Sequence, residues 1–311
     1  MSTRLRLLVL IAAGLLPSLV AADERAAGPS LFEDGDLVVL LGGTLVERAQ
    51  EYGHWEAALQ LAHPDKTLRF RNLGWSGDTV WAESRGQFDP PEEGYKRMIQ
   101  QVTALKPDVI ILGYGNAEAF AGTDGLEAFE KQYRKLVAHL PDVKRLHLYP
   151  VCPSNHTSTY HADVRRYEKV VRHVAAELGD HRTLVNLTFD TPSDHYADNG
   201  IHLNDKGYLE SSLFIAGQNV LTPSDAMRLV QEHDASSLLA AIRRKNRLVF
   251  DRWRPQNVTY LFGFRKHEQG QNAAEIPQFD PLIEAADAEI DRIKRQLAGE
   301  ASNHKDAKSQ R

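Results

Sequence analysis

Four short polar segments carry residue types that together suit acyl transfer. Thr44 follows two glycines in LGGTLVE, Gly77 lies in NLGWSGDT, and Asn116 lies in GYGNAE. His202 closes the set in DNGIHLN, where Asp198 precedes it. A hydroxyl can act as a nucleophile and a histidine as a general base, while a backbone N–H and an amide stabilise an oxyanion. These residues predict an acyl-transfer site that needs neither metal nor cofactor.

The elements that must position these segments alternate between strand and helix from residue 36 to about residue 220. Continuous apolar runs are typical of buried parallel strands, and the stretches between them have helical patterning. The predicted strands are Leu37–Leu41, Thr67–Leu73, Asp108–Leu112, Arg145–Val151 and Thr183–Leu187. The predicted helices are Glu47–Ala62, Tyr95–Leu105, Leu126–Leu140, Val164–Leu178 and Asp205–Gln218. This alternation predicts a three-layer α/β/α fold around a parallel five-stranded sheet.

The polar segments fall where the predicted strands end. LGGTLVE, NLGWSGDT and GYGNAE follow the first three strands, and DNGIHLN lies in the loop at 191–204. Sites in open parallel sheets form at the carboxyl ends of the strands. We therefore expect the four segments to meet at one edge of the sheet.

The pattern changes beyond Pro223, which predicts a helical C-terminal extension over residues 223–311. Ser236–Phe250 is predicted as a helix, residues 252–270 are aromatic and basic, and a last helix starts near Asp280. Apolar residues form one stripe along that last helix, namely Ile283, Ala286, Ile290, Ile293 and Leu297. Such a stripe indicates docking, either on the chain's own domain or in a coiled-coil seam with a partner. From about Gly299 the polar tail is predicted to be disordered.

Residues 1–22 have the pattern of a secretory signal peptide. Arg4 and Arg6 precede an apolar run, and Ala21-Ala22 provides small side chains for cleavage before Asp23. The alternative is an N-terminal membrane anchor, but Pro17 shortens the run too much for a span. The sequence predicts export to a bacterial periplasm or the exterior, without stable membrane insertion after cleavage, and a first domain over 23–222.

Composition excludes several classes of protein. The chain has 311 residues, of which 42% are hydrophobic and 25% charged, with a net charge of −5. That acidity argues against nucleic acid as a partner. The single cysteine, Cys152, rules out an intramolecular disulfide and a multi-cysteine metal site.

Two of the polar segments are specific enough to suggest a family. NLGWSGDT and DNGIHLNDKGY, in this order, resemble the SGNH (GDSL-like) hydrolase family, in a planctomycete-type branch with a C-terminal extension. The resemblance covers about Asp36 to Gln218. It implies a flavodoxin-like fold and the hydrolysis of esters of small acyl groups, such as acetyl groups on carbohydrates.

The family's catalytic set transfers to this sequence with departures. The serine nucleophile of Gly-Asp-Ser falls on Thr44, whose extra methyl group restricts χ1 and crowds attack. The oxyanion glycine is Gly77, but the oxyanion amide falls on Ala117, with Asn116 one residue earlier. The Asp-x-x-His pair reads Asn199 and His202, so an amide, or the adjacent Asp198, would have to orient the base. The resemblance therefore implies either an altered esterase or an inactive domain that binds carbohydrate or serves as a scaffold.

Several further residues have both a functional and a structural interpretation. Trp75 and Tyr114 flank the expected cleft and could stack on a sugar ring or pack in the core. Ser76 could be a nucleophile, but GWSGD lacks the final glycine of a nucleophile elbow, which favours a turn serine. His156 and His161, with Asp163, could ligate a metal, although no metal-binding motif is present and a surface loop is the simpler interpretation.

Overall fold

Parallel strands form a single sheet at the centre of the protein. The structure, a computed structural model, describes residues 31–150, 159–183, 195–217, 235–268 and 272–309. The strands are Leu37–Gly42 (β1), Arg69–Asn72 (β2), Val109–Gly113 (β3), Lys144–Leu148 (β4) and the three-residue edge strand His181–Thr183 (β5). Their order is β2-β1-β3-β4-β5, and every neighbouring pair is parallel. The α/β fold with a parallel sheet is confirmed. Its winding reverses between β1 and β3, where ligands bind in doubly wound sheets.

Helices cover both faces of the sheet. They are Thr44–Tyr52 (α1), His54–Ala62 (α2), Pro91–Leu105 (α3), Leu126–His139 (α4), Thr159–Leu178 (α5), Asp205–Gly217 (α6), Ser236–Trp253 (α7), Val258–Leu261 (α8) and Phe279–Ser309 (α9). Alternate residues of β1 point to opposite faces. Val38 packs in an apolar core with α1, α2 and α6, and Val39 packs in a second core with α3, α4 and α5.

Some element boundaries differ from those expected. The predicted helix Glu47–Ala62 is two helices, because Gly53 adopts φ +76° and breaks the hydrogen-bond ladder between α1 and α2. The last strand pairs from His181, and residues 184–187 lie outside the described residues. Helix α9 continues through Ser309, where a disordered tail was expected from about Gly299; the alanines, lysines and glutamate of this segment favour helix. Residues 1–22 also lie outside the described ranges.

The C-terminal extension packs on the first domain. Ile290, Ile293 and Leu297 of α9 lie in an apolar cluster with Ala57 and Leu61 of α2 and with residues of α7. Because this cluster buries the predicted stripe inside the chain, the stripe does not offer a partner a docking face, contrary to one expectation. No helix in the described ranges is long and apolar enough to cross a membrane.

Several ion pairs join the extension to the first domain, and two of them are largely buried. Lys245 of α7 and Glu56 of α2 are both buried, with Nζ and Oε2 2.7 Å apart. Arg71 of β2 pairs with Asp287 of α9 at 2.6 Å. Buried charges need such partners, so the extension and the first domain depend on each other for charge compensation.

Candidate active site

The Thr44 hydroxyl lies against a backbone N–H at the end of β1. The strand ends at Gly42 and α1 begins at Thr44, so Thr44 stands in the first helical turn, where N–H groups lack acceptors within the helix. Thr44 Oγ1 accepts a hydrogen bond of 2.9 Å from the N–H of Gly77. Gly77 has φ +71°, which a residue with a side chain rarely adopts. A hydroxyl and the backbone N–H that the sequence predicts as an oxyanion donor are therefore adjacent.

The segment Gly74–Gly77, which we call the oxyanion loop, lies directly on α1. A Cβ atom added at Gly74 would stand 2.3 Å from the Glu47 backbone nitrogen, so only glycine permits this approach. Ser76 Oγ donates to Glu47 Oε2 at 2.8 Å. This bond supports the interpretation of Ser76 as a turn serine.

Residues from all four polar segments line one cavity of about 280 Å³. Four residues that line it are Thr44, Gly77, Asn116 and His202, which come from the four polar segments. Leu45, Ile201 and Leu203 add apolar surface. The carboxyl ends of β1 and β3 and the loop before α6 thus meet at one site, as the sequence predicts. The cavity is open and can admit a small acyl group.

The histidine lies on a turn that its own neighbours fix. Asn199 Oδ1 accepts hydrogen bonds from the N–H groups of Ile201, at 3.1 Å, and His202, at 2.9 Å. Burial lowers the pKa of the His202 imidazole, and the nearby Arg48 guanidinium lowers it further, while Asp198 acts in the opposite direction. His202 is therefore neutral at pH 7 and able to accept a proton.

Neither predicted orienting residue contacts the imidazole. Asp198 Oδ2 lies 2.5 Å from Arg48 Nη2, and this guanidinium competes for the carboxylate. The side-chain oxygen of Asn199 is occupied by the turn. Within the described residues the His202 ring makes no hydrogen bond, so the expected orienting role of Asp198 or Asn199 is not realised in this conformation. Asp198 donates its backbone N–H to the His202 carbonyl at 3.0 Å, and its carboxylate acts on the imidazole only through its charge.

Glu118 holds the loop that carries Asn116. This buried carboxylate accepts hydrogen bonds from Val80 N at 2.8 Å and from Gly115 N at 2.7 Å. From the other side, Tyr160 Oη donates to the Asn116 carbonyl at 3.0 Å. Burial raises the pKa of Glu118 to about 7, although the backbone N–H groups oppose the shift.

Glu118→Gln is expected to change how stability depends on pH. Burial raises the native pKa from 4.5 to about 7, so the contribution of Glu118 to the free energy of unfolding is highest below pH 4.5. It falls as pH rises from 4.5 to 7, by on the order of 3 kcal/mol for this group. The glutamine does not titrate, and its NH₂ group would face an N–H donor. We expect E118Q to remove this decline and to be less stable at low pH.

Urea unfolding of both proteins between pH 4 and 8 measures this difference. The exposed Glu127 of α4 provides the control variant, Glu127→Gln, which should parallel the wild type. A constant offset between wild type and E118Q at every pH would contradict the assignment.

Of the two aromatic residues predicted to flank the cleft, Tyr114 lines the cavity and Trp75 lies elsewhere. The Tyr114 side chain is buried, and its hydroxyl donates to Met98 Sδ at 3.3 Å in the core below the cavity. Trp75 lines a separate cavity of about 750 Å³ beside the extension, with the Arg254 guanidinium 4.0 Å from its ring centroid. The Tyr114 side chain, just beyond the end of β3, is directed into the core. The Arg254 guanidinium covers a face of the Trp75 ring.

Another aromatic pair, which sequence reasoning missed, stands at the catalytic cavity. Phe120 and Tyr160 both line it, and their rings stack with centroids 4.3 Å apart. Phe120 is 66% exposed. Its only signal in the sequence is its place in the Asn116 segment, four residues after the amide, whereas Tyr160 reaches the site through folding alone.

The candidate metal ligands do not form a cluster in the described ranges. His161 and Asp163 are buried in α5, and Asp163 pairs with Arg166. His156 lies outside the described residues. No group of three or more potential ligands is present among the residues that the structure describes.

Comparison with known proteins identifies one family. The profile of the GDSL-like lipase/acylhydrolase family matches residues 41–209, which include all four polar segments. No curated protein shows a significant match to the chain.

Several solved structures are similar at low identity. An acetyl xylan esterase is 19% identical, with 58% of this chain and 96% of that chain covered and a TM-score of 0.46. A Geobacillus acetyl-xylooligosaccharide esterase is 17% identical, with 59% and 95% covered and a TM-score of 0.45. A lipolytic protein of the G-D-S-L family from Veillonella parvula is 14% identical, with 58% and 94% covered and a TM-score of 0.40.

Proposed function

We propose that this chain, which belongs to the GDSL-like lipase/acylhydrolase family, hydrolyses esters of small acyl groups through an acyl-threonine intermediate. The observation that carries the proposal is the meeting of Thr44, Gly77 and His202 at one open cavity. The 2.9 Å hydrogen bond from Gly77 N to Thr44 Oγ1 supports these roles, because a nucleophile and its oxyanion donor must lie side by side. A volume of about 280 Å³ favours a small acyl group such as acetyl.

In the proposed mechanism, His202 takes the proton of the Thr44 hydroxyl as Oγ1 attacks the ester carbonyl. The Gly77 N–H then leaves Oγ1 and donates to the developing oxyanion, together with the Thr44 N–H and the Asn116 amide. Collapse of the tetrahedral intermediate breaks the bond between the carbonyl carbon and the alcohol oxygen. The alcohol leaves with the proton that His202 holds. Water, deprotonated by His202, attacks the acyl-threonine, and the acid is released as His202 returns that proton to Thr44 Oγ1. Arg48 keeps Asp198 away from the base, so turnover should be modest.

We further propose that the alcohol is a carbohydrate. The exposed face of Phe120 stands at the cavity, and Tyr160 supports it from behind. Apolar faces of sugar rings pack on such platforms, and the acyl group would then enter the cavity.

Phe120→Ala is expected to raise KM about three- to tenfold for an acetylated xylose oligomer, the loss that one aromatic contact predicts. The KM of this variant for ethyl acetate, whose alcohol is too small to stack, should stay within twofold of the wild-type value. A twofold change corresponds to about 0.4 kcal/mol of binding free energy. Initial rates with both esters measure the contrast, and Phe120→Trp is the control that keeps an aromatic face. Equal losses on both esters would contradict a sugar platform.

Two observations favour a second candidate function, an inactive domain that binds carbohydrate. The residue at the amide position is Ala117, and Asp198 is tied to Arg48 rather than to the base. Loss of an oxyanion donor and of the orienting carboxylate would each cost several powers of ten in rate. Such a domain would bind sugar without turnover, and His202→Ala would not change its affinity.

Hydrolysis of acetyl esters by the purified protein, beside Thr44→Ser and His202→Ala, separates the two candidates. Turnover that His202→Ala abolishes would support the esterase. Activity that appears only in Thr44→Ser would indicate a silenced site with its other groups intact. No turnover in any of the three, with carbohydrate affinity retained, would favour the binding domain.

A further inference from the structure

An arginine of the C-terminal extension lies on the oxyanion loop. Arg254 directly follows α7, and its guanidinium carbon stands 4.0 Å from the centroid of the Trp75 ring. The same guanidinium lies 3.8 Å from Glu47 Oε1. Glu47 is the residue that accepts the Ser76 hydroxyl hydrogen bond. Two consecutive residues of the loop, Trp75 and Ser76, are thus linked to Arg254.

The first domain anchors the loop mainly through its backbone. Gly74 N donates to Asn72 Oδ1 at 2.8 Å, and Trp75 N donates to the Gly42 carbonyl at 3.0 Å. The Gly77 carbonyl accepts from Ser84 Oγ at 3.0 Å. These bonds fix the two ends of the loop, whereas the large Trp75 side chain between them is held by cation–π contacts.

Two guanidinium groups contact Trp75, and they come from different parts of the chain. Arg85 stands 5.3 Å from the ring centroid and is fixed by a buried ion pair with Asp78. Arg254 is closer and belongs to the extension. Both distances are within the range of cation–π attraction, which is stronger where water is excluded.

Arg254 is itself firmly placed. Its N–H donates to the Phe250 carbonyl at 2.7 Å, which ends α7, and its guanidinium lies 5.2 Å from the Phe250 ring centroid. Helix α7 is anchored by the buried pair of Lys245 and Glu56. Burial lowers the pKa of Arg254 and the Glu47 carboxylate opposes that shift, so the side chain remains a cation at pH 7.

We propose that Arg254 is a positioning residue through which the C-terminal extension holds the oxyanion loop. By packing on Trp75 and drawing Glu47 toward Ser76, it keeps the Gly77 N–H directed at Thr44. The C-terminal extension then contributes to the geometry of the site, because it holds the oxyanion loop in place. The consequence for catalysis rests on the proposed function, whereas the placement of the loop does not.

Hydrogen–deuterium exchange of the peptide spanning residues 72–80 tests the placement without any substrate. Arg254→Ala should accelerate exchange in this peptide about tenfold, while Arg254→Lys, which keeps the cation, should restore most of the protection. Arg252→Ala is the matched control, because Arg252 pairs with Asp280 and stacks on Trp253 instead. Trp75→Leu should mimic Arg254→Ala, and the double variant should show no further acceleration. Wild-type exchange in Arg254→Ala, or equal acceleration in Arg252→Ala, would overturn the proposal.

Kinetics on an acetyl ester test the consequence for catalysis. Arg254→Ala should lower kcat about tenfold with KM unchanged, because it misplaces one oxyanion donor without removing it. Complete removal of a donor would lower kcat further. Arg252→Ala should keep the wild-type kcat. An unchanged kcat in Arg254→Ala, beside accelerated exchange, would overturn the catalytic part. If the wild type itself has no turnover, the proposed function fails, and exchange alone still decides whether Arg254 positions the loop.

Discussion

Thr44→Ala is expected to lower kcat for acetyl esters by about a thousandfold or more, because it removes the hydroxyl that lies 2.9 Å from Gly77 N in the cavity that His202 also lines. Thr44→Ser is the matched control. Serine keeps the hydroxyl and lacks the methyl group that restricts χ1, so its kcat should equal or exceed that of the wild type. Steady-state kinetics of the three proteins at pH 7 give the comparison.

Comparison of Thr44→Ala with Thr44→Ser, by both kcat and melting temperature, distinguishes loss of the catalytic hydroxyl from loss of folding. Thr44 lies in the first turn of α1, and alanine is a good helix former, so the melting temperature should change little. Wild-type turnover in Thr44→Ala would reject the nucleophile. Loss of turnover in Thr44→Ser as well would indicate that position 44 acts by shape alone.

Lys245→Met is expected to lower the free energy of unfolding by about 3–5 kcal/mol. The substitution leaves the Glu56 carboxyl buried without its cation, and burial already raises the pKa of Glu56. It also removes the hydrogen bond from Lys245 Nζ to the Phe70 carbonyl, which is 3.0 Å long. Urea unfolding at pH 7 measures the change.

Two further variants show whether the charge is the cause. Combining Lys245→Met with Glu56→Gln removes both charges and should recover much of the lost stability. Lys96→Met breaks an exposed pair with Glu93 and should lower the free energy of unfolding far less than Lys245→Met does. Similar losses in Lys245→Met and Lys96→Met would contradict the view that this buried pair joins the extension to the first domain.

Much of the fold follows from local sequence. The run Leu37–Leu41 is apolar throughout because β1 is central and covered on both faces, so its strand could be predicted. The sequence also predicted that the four polar segments meet at one cavity, since parallel strands bring their carboxyl ends to one edge of the sheet. The residues that meet there are Thr44, Gly77, Asn116 and His202. The break at Gly53 was missed, because a single glycine in a helical pattern does not reveal its φ.

The parts of the site that could not be predicted depend on long-range contacts. Asp198 stands next to the base in sequence, but Arg48 of α1, 150 residues away, takes its carboxylate. Trp75 was expected at the cleft, and Arg254 of the extension covers it. Periodicity and spacing report which face a residue occupies and not which distant side chain meets it there. The predicted signal peptide and export stay predictions, since residues 1–22 lie outside the described part of the chain.

The claim that Thr44 carries the acyl group is tested most directly by mapping the covalent intermediate. The protein would be mixed with p-nitrophenyl acetate, quenched in acid during turnover and digested, and its peptides analysed by mass spectrometry. The account predicts an acetyl group on Thr44, absent from Thr44→Ala. An acetyl group on Ser76 instead, or turnover without acetylation of the peptide that contains Thr44, would contradict it.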